Sequence, residues 1–393
     1  MKRKVLILPS WYPTLKKKNL GNYFQEQAKF LQGKEGLEFK VLYGDKKSYP
    51  LIRWFWVFFQ LWLKQTWTLS MDKVQQDPPA YGFDIPANRR IPDNLQIQLE
   101  QRMYLKAYRE LILSDWIPDL IHAQSGMDTG IYAHHISNKT KVPFVINEHQ
   151  VFVFHNYSRL RSKLILEAFQ VAKKTGAVSY DERRQVLMNQ PNCNPIIIPN
   201  LVDESKLELK KRSQGKNLRL VTFMYANQIK GYDTFFQAIY ELQKLTDDFN
   251  FTVVGNGIVK GRNIFQERCQ DLGILEKANL VPRLERAEIS DFFQDFDLYV
   301  CSSDFETFGI APREAMMCGL PVVTTANGGV EGSITPDTGL TVPVKNPVAL
   351  AEAILRIKEN RHTYAPSKIR ELAIQQCGRD VFLKRMIDFY QLD

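Results

Sequence analysis

Two glutamates, Glu306 and Glu314, stand eight positions apart in the stretch CSSDFETFGIAPREAMMCGLPVVTTANGG, Cys301–Gly329. An apolar strand ends just before them, and another covers Pro321–Thr324. Two carboxylates so placed suit three chemistries: an acid–base pair, a metal site, or two grips on one polar ligand. Pro312 fits the first turn of a helix, where its missing N–H costs nothing, so a helix is expected to start near Ala311. Glu314 then lies in the first turns and Glu306 in the loop before them. The backbone N–H groups of Phe308, Gly309 and Ile310 share that end. Carboxylates for hydroxyls beside N–H groups for oxyanions suit a polyhydroxylated, phosphorylated ligand. The structural alternative is helix capping, since acids near any helix N-terminus compensate the macrodipole.

Other stretches with chemical residue types carry less. Asp295 and Asp297 imitate an Asp-x-Asp metal motif, but they sit at a helix end before Leu298–Cys301, the edge away from ligands, and read as a cap. GNGIVKG, Gly255–Gly261, fails the Gly-x-Gly-x-x-Gly spacing of a dinucleotide loop, with Lys260 inside it. His122 follows a strand and reads as structural; His134 and His135 read as exposed helix surface. The cysteines, Cys193, Cys269, Cys301, Cys318 and Cys377, are odd in number and lack Cys-x-x-Cys spacing. A disulfide framework or zinc site is not expected, and a reducing compartment fits.

The elements that must position these residues alternate. In the first half, strands are expected at Lys4–Leu8, Phe39–Tyr43, Leu120–Ala123, Phe144–Asn147, Gly176–Ser179 and Ile196–Pro199, with helical periodicity between, as in Phe24–Leu31. The pattern turns polar around Asn200–Ser213 and restarts with strands at Leu218–Met224, Phe251–Val254, Leu298–Cys301, Pro321–Thr324 and Gly339–Val342. This rhythm predicts two successive doubly wound α/β domains joined near residue 205. Ligands in such sheets collect at the carboxyl ends of strands, where the two glutamates lie.

Glu306-x7-Glu314 followed by EAMMCGLPVVTTANGGVEG resembles the signature of retaining glycosyltransferases of family 4. KGYDTFFQAI (Lys230–Ile239), VVGNG (Val253–Gly257) and IIIPN (Ile196–Asn200) are similar to further segments of that family. LPSWYPT, LGNYFQEQAKFL, IHAQSGMDTG and FVINEHQ resemble the first half of members that build bacterial surface polysaccharides. The resemblance spans nearly the whole chain in order. It implies the GT-B fold: two Rossmann-like domains facing a central crevice, residues 1–205 for the acceptor and 206–372 for the nucleotide-sugar, with a C-terminal helix in 373–393 packing back toward the first. It also implies roles. Glu306 would hold the donor sugar with the N–H groups of Phe308 and Gly309, Glu314 the ribose, and Lys230 the diphosphate, with Ile310 also in the donor-binding set. Gly21 would approach the phosphates, and His149 would face the reacting sugar. Asn227, Gly255 and Arg283 complete the expected donor-binding set. The sequence departs from the family at Tyr225, where many relatives carry an arginine of the diphosphate clamp. No metal or cofactor is expected, because Lys230 and the helix N-terminus can take the diphosphate charge.

The charge is lopsided. Residues 1–200 hold 28 Lys+Arg against 17 Asp+Glu, whereas the remainder holds 24 against 26. All six tryptophans lie in the first 116 residues. Basic and aromatic excess together suit an anionic membrane surface better than nucleic acid. The apolar run Val5–Leu8 is too short for a signal-peptide core and reads as a first strand. LIRWFWVFFQLWLKQTW, Leu51–Trp67, is below the ~20 residues that span a bilayer. As a helix it would place Arg53, Gln60 and Lys64 on one stripe and leave a wide aromatic face, suited to lying in the interface with Trp54, Phe58 and Trp62 in lipid. A core helix, or one lining an apolar acceptor tunnel, is the alternative. The expectation is a retaining, metal-independent hexosyltransferase, cytoplasmic and peripheral at the inner membrane face, using a nucleotide-sugar and a glycan or polyprenyl-linked acceptor. A GT-B nucleotide-sugar epimerase is the main rival; a glycosidase and a non-catalytic sugar-binding protein are weaker ones.

Overall fold

The computed structural model describes residues 3–14, 20–63, 69–112, 115–150, 154, 157–209 and 215–391, excepting the Leu63 side chain. Lys16–Lys18 and the 64–67 end of the aromatic stretch lie outside these residues. The chain forms two compact units: Met1–Val178 with Glu182–Ile198 and Leu383–Asp393, and Ser179–Asp181 with Pro199–Phe382. The main division thus falls at Ile198/Pro199 rather than near residue 205.

The first unit carries an eight-stranded sheet built from Arg3–Pro9 (β1), Leu37–Ser48 (β2), Asp72–Gln75 (β3), Ala80–Ala87 (β4), Leu120–Gln124 (β5), Phe144–Glu148 (β6), Thr175–Ala177 (β7) and Ile196–Ile197 (β8). Their order is β3-β4-β2-β1-β5-β6-β7-β8, parallel throughout except for the antiparallel β3–β4 pair. Val5–Leu8 of β1 and all of β5 and β6 are buried, as strands covered on both faces must be, which is why they read as unbroken apolar runs. β3 and β4 escape sequence reading because YGFDIPA, with Gly82 and Pro86, lacks both a clean alternation and an apolar run.

The second unit holds a six-stranded parallel sheet of Leu218–Phe223 (β9), Phe249–Val254 (β10), Ala278–Val281 (β13), Leu298–Cys301 (β14), Val322–Thr325 (β15) and Gly339–Val342 (β16), ordered β13-β10-β9-β14-β15-β16. Ile258–Val259 (β11) and Arg262–Asn263 (β12) make a separate hairpin, which accounts for the GNGIVKG stretch. The strand order reverses between β1 and β5 in one sheet and between β9 and β14 in the other. Both places are crevices at carboxyl ends of strands, where such sheets hold ligands.

The last helix, Arg379–Tyr390, enters the first unit at Leu383. There the Tyr390 hydroxyl meets His122 Nδ1 at 2.8 Å, and Lys174 Nζ donates to the Asp388 carbonyl at 2.9 Å. Burial pushes the His122 imidazole down to about 3, so it stays neutral.

The helix Leu51–Leu63 divides its aromatic residues between two faces, and this corrects the sequence reading. Trp54 is fully buried, donates through Nε1 to Gln96 Oε1 at 2.9 Å, and stacks on Phe58. These two belong to the core. Ile52, Phe55, Trp56, Phe59 and Trp62 face outward, with Ile52 86% and Trp62 61% exposed. Their spacing of three and four residues makes one stripe. No helix among the described residues is long and apolar enough to cross a membrane.

Candidate active site

In the second unit, the turns after β9 and β14 are stitched together. The Asp304 amide donates to the Ile229 carbonyl at 2.8 Å, and Ser302 Oγ to the Gly231 carbonyl at 3.1 Å. Gly231 sits at φ 62°, where an added Cβ would overlap the Ser302 carbonyl, so no other residue permits this approach. The turn delivers Lys230 Nζ to Glu306 Oε1 at 2.6 Å, and Ser303 Oγ donates to the same oxygen at 2.8 Å. Lys230 and Glu306 therefore form one charge-assisted unit, partly open to solvent.

Glu314 lies on the helix Ile310–Met317, which starts one residue before the expected Ala311, and its side chain is buried. Its carboxylate is paired with Arg286, a partner that sequence reading did not single out. Arg283, expected at the site, instead projects into solvent and pairs with Glu285 at 2.9 Å. Register explains the exchange: in PRLERAE two residues separate the two arginines, and only Arg286, at the start of the short helical turn Arg286–Glu288, reaches Glu314.

Arg313 was also missed. It is buried, lies 3.9 Å from the centre of the Phe308 ring, and donates to the carbonyls of Phe308, Gly309 and Gly329. Asn327 backs the same loop: its carbonyl accepts from the Glu306 amide at 2.9 Å. The segment from Glu306 to Ile310 is thus pinned from behind, leaving Gly309 as the residue before the helix.

Asn227 caps the turn before Lys230, its Oδ1 accepting from Ile229 N at 3.1 Å, so that oxygen serves the backbone. Tyr225 is 63% exposed. Lys345, 3.5 Å from Asp304, brings a further cation to this edge. Gly255 follows β10, its amide donating to the Val281 carbonyl. Asp297 is not a helix cap: it holds Arg219 through two side-chain bonds at 3.0 Å at the start of β14. Among the described residues, no group of three His, Cys, Asp or Glu could hold a metal. None of the five cysteines is in a disulfide.

In the first unit, His149 follows β6, buried, with its ring edge-on to Phe24 at 4.8 Å and Nε2 3.2 Å from Asn147 Nδ2. Gly21 opens the helix Asn22–Leu31 at φ 74°, packed so tightly that an added Cβ would lie 2.5 Å from the Trp11 carbonyl oxygen. His134 and His135 are half-buried, His134 stacked on Phe144, which corrects their reading as exposed.

Beside His149 lies Glu148, fully buried. Its carboxylate accepts from Ser125 Oγ at 2.6 Å and from the amides of Gly126, His149 and Gln150 at 2.7–2.9 Å. These bonds hold a strained turn after β5, with Ser125 at φ 98° and Asp128 at φ 64°. Each such residue costs on the order of 1–3 kcal/mol and persists only where surroundings fix it. The turn aims Asp128 at two cations, Lys46 Nζ at 2.8 Å and Arg161. Lys46 also meets Glu100 at 3.0 Å; Arg161 meets Glu100 at 3.1 Å and Asp93 at 2.8 Å. Burial raises the Asp128 carboxyl, but Lys46 and Arg161 outweigh it and hold the group below the usual range.

Residues 204–375 match the family model of glycosyl transferases group 1. Across 91% of this chain and 90% of the relative, the sequence is 25% identical to the putative teichuronic acid biosynthesis glycosyltransferase TuaC of Bacillus subtilis. In structure it resembles sucrose-phosphate synthase of Thermosynechococcus elongatus (TM-score 0.73, 16% identity, 99% and 98% of the two chains). It also resembles Anabaena HepE in complex with UDP (TM-score 0.72, 16% identity, 98% and 99%). The two parallel sheets, the paired glutamates at the second sheet's reversal point and these likenesses agree: the chain has the GT-B fold, and its residues 204–375 match the glycosyl transferases group 1.

Proposed function

We propose that the protein is a retaining, metal-independent transferase that moves a sugar from a nucleotide-sugar to a glycan or lipid-linked glycan in bacterial surface polysaccharide synthesis. The observation that carries this is the joined Lys230–Glu306 unit beside buried Glu314, all at the β9/β14 reversal. Glu306 takes sugar hydroxyls, Glu314 the ribose, and Lys230 with the amides of Gly309 and Ile310 the diphosphate. Glu306, held through Oε1 by Lys230 and Ser303, serves in this reading as a grip on the donor sugar. Transfer on the same face then relies on the departing phosphate to help remove the proton of the incoming hydroxyl. Similarity to TuaC supports the polysaccharide setting, and the UDP complex of HepE supports a nucleotide donor.

The test is a panel of UDP-, GDP- and ADP-sugars, read first by thermal stabilisation and then by transfer with and without EDTA. One nucleotide series is expected to stabilise the protein, and transfer is expected to survive chelation, because Asp297 is committed to Arg219. Loss of activity in EDTA, restored by manganese or magnesium, would refute the metal-independent reading. Glu314→Ala is expected to weaken nucleoside diphosphate binding about 10- to 100-fold, the loss of a charged hydrogen bond worth roughly 1.5–3 kcal/mol. Calorimetric titration with the diphosphate checks it; unchanged affinity removes Glu314 from the ribose.

The outward stripe of the Leu51–Leu63 helix is read as the membrane contact, and the basic excess of residues 1–200 selects anionic lipid. Each basic residue near such a surface adds about 1 kcal/mol, screened by salt. Trp56 and Trp62 add an apolar part that salt does not remove. Co-sedimentation with anionic vesicles is expected to be strong, partly lost in high salt, and further reduced by Trp56→Ser with Trp62→Ser. Wild-type protein that ignores anionic vesicles at low salt would leave the stripe without this role.

A further inference from the structure

At the reversal point of the first sheet lies a cavity of about 450 Å³, within the ~300–1,000 Å³ of ordinary ligand pockets. The carboxyl ends of β1 and β2, the strained turn after β5 and Gln150 just beyond β6 all contribute to its wall. Tyr12, Tyr43 and Tyr157 supply flat apolar surface; Gln150 supplies an amide. The charged residues lining it, among those described, are Asp45, Lys46 and Asp128. That is an excess of one carboxylate.

The excess deepens behind the wall. Lys46 is already held at 2.8 Å by Asp128 and 3.0 Å by Glu100, and Arg161 by Glu100, Asp128 and Asp93. Two cations, Arg161 buried and Lys46 partly exposed, face three carboxylates. An anionic group entering here would meet Asp45 and Asp128 in a cluster where carboxylates outnumber cations. Hydroxyls, by contrast, donate readily to carboxylates, and the C–H face of a sugar ring lies well on a tyrosine.

We infer that this cavity binds the receiving sugar of the acceptor and that the sugar is uncharged, its hydroxyls held by Asp45 and Asp128 and its ring packed on Tyr157. The inference rests on the transferase reading and adds the substrate class: a neutral hexose or N-acetylhexosamine rather than a uronate or sugar phosphate. Asp128 is then a specificity-determining residue, and the strained turn exists to aim it.

The test uses matched methyl glycosides, namely glucoside against glucuronide, galactoside against galacturonide, with mannoside and the two N-acetylhexosaminides. Each is measured on the full chain by saturation-transfer NMR titration. At least one neutral glycoside is expected to bind, its uronide at least 10-fold more weakly. Asp128→Asn should weaken the neutral ligand at least 10-fold. Asp45→Lys, at the half-buried rim, should narrow or reverse the preference, which keeps the test decisive if Asp128→Asn does not fold. A uronide that binds as tightly as its neutral partner overturns the inference. So does the absence of any neutral binding, or a preference that Asp45→Lys leaves unmoved. Thermal stabilisation by nucleoside diphosphates is recorded on the same samples: its loss counts against the transferase reading, whereas its retention with uronide binding counts against this inference alone.

Discussion

Glu306→Gln is expected to lower turnover at least about 100-fold while leaving the affinity for nucleoside diphosphate unchanged or slightly improved. The carboxylate accepts from Lys230 and Ser303 through Oε1, which leaves Oε2 for sugar hydroxyls in the proposed role. A charge-assisted hydrogen bond is worth roughly 1.5–3 kcal/mol, so losing two in the transition state gives an effect of this size. The amide keeps the shape of the side chain but removes the charge that balances Lys230. The ammonium is then freer for a diphosphate, which is why binding should not suffer. Single-turnover rates and calorimetric titration of the same preparation separate the two outcomes. If diphosphate affinity falls in step with turnover, Glu306 acts mainly by holding Lys230, and its contact with the sugar must be abandoned.

That prediction combines a part the sequence displayed with a part it concealed. The apolar runs of β1, β5, β6, β9, β10, β14 and β15 announce parallel strands because burial on both faces removes polar residues from them. Glu306, Glu314 and Lys230 could be picked out because they follow such strands. Their mutual distances could not, since the 2.6 Å contact of Lys230 with Glu306 depends on Gly231 letting two turns touch. The same applies to Arg286 and Arg283: which of two nearby arginines reaches Glu314 is settled by one short helical turn. The helix Leu51–Leu63 shows the limit for aromatic residues. Its composition announces an amphipathic element, but whether Trp54 or Trp56 faces the core depends on the neighbour, here Gln96. The charged cluster of the first unit was least visible, because Lys46, Glu100, Asp128 and Arg161 come from four separate elements and follow no spacing rule. Asp128 did lie in IHAQSGMDTG, one of the segments read by resemblance, but nothing in the string shows that its backbone is strained.

The strain makes Glu148 the residue whose change should reach furthest through the first unit. One of its oxygens accepts from Ser125 Oγ and from the amides of His149 and Gln150, the other from the amide of Gly126. Glu148→Gln offers a single carbonyl oxygen and an NH₂ group to the same four donors. Whichever way the amide turns, at least one donor faces another inside a buried pocket, a cost of about 1–3 kcal/mol for each group left unpaired. The turn it held also relaxes, since Ser125 at φ 98° and Asp128 at φ 64° stay in place only while opposed. The expected result is a loss of about 2–4 kcal/mol in the stability of the first unit. Amide exchange should accelerate at 125–130 and 148–150, and transfer should fall even well below the melting temperature because Asp128 and His149 lose their aim. Stabilisation by nucleoside diphosphate should survive, because Lys230, Glu306 and Glu314 belong to the other unit. Unchanged exchange at Gly126 and His149 in the Gln variant would mean that packing alone fixes this turn, and that the four hydrogen bonds follow its shape instead of imposing it.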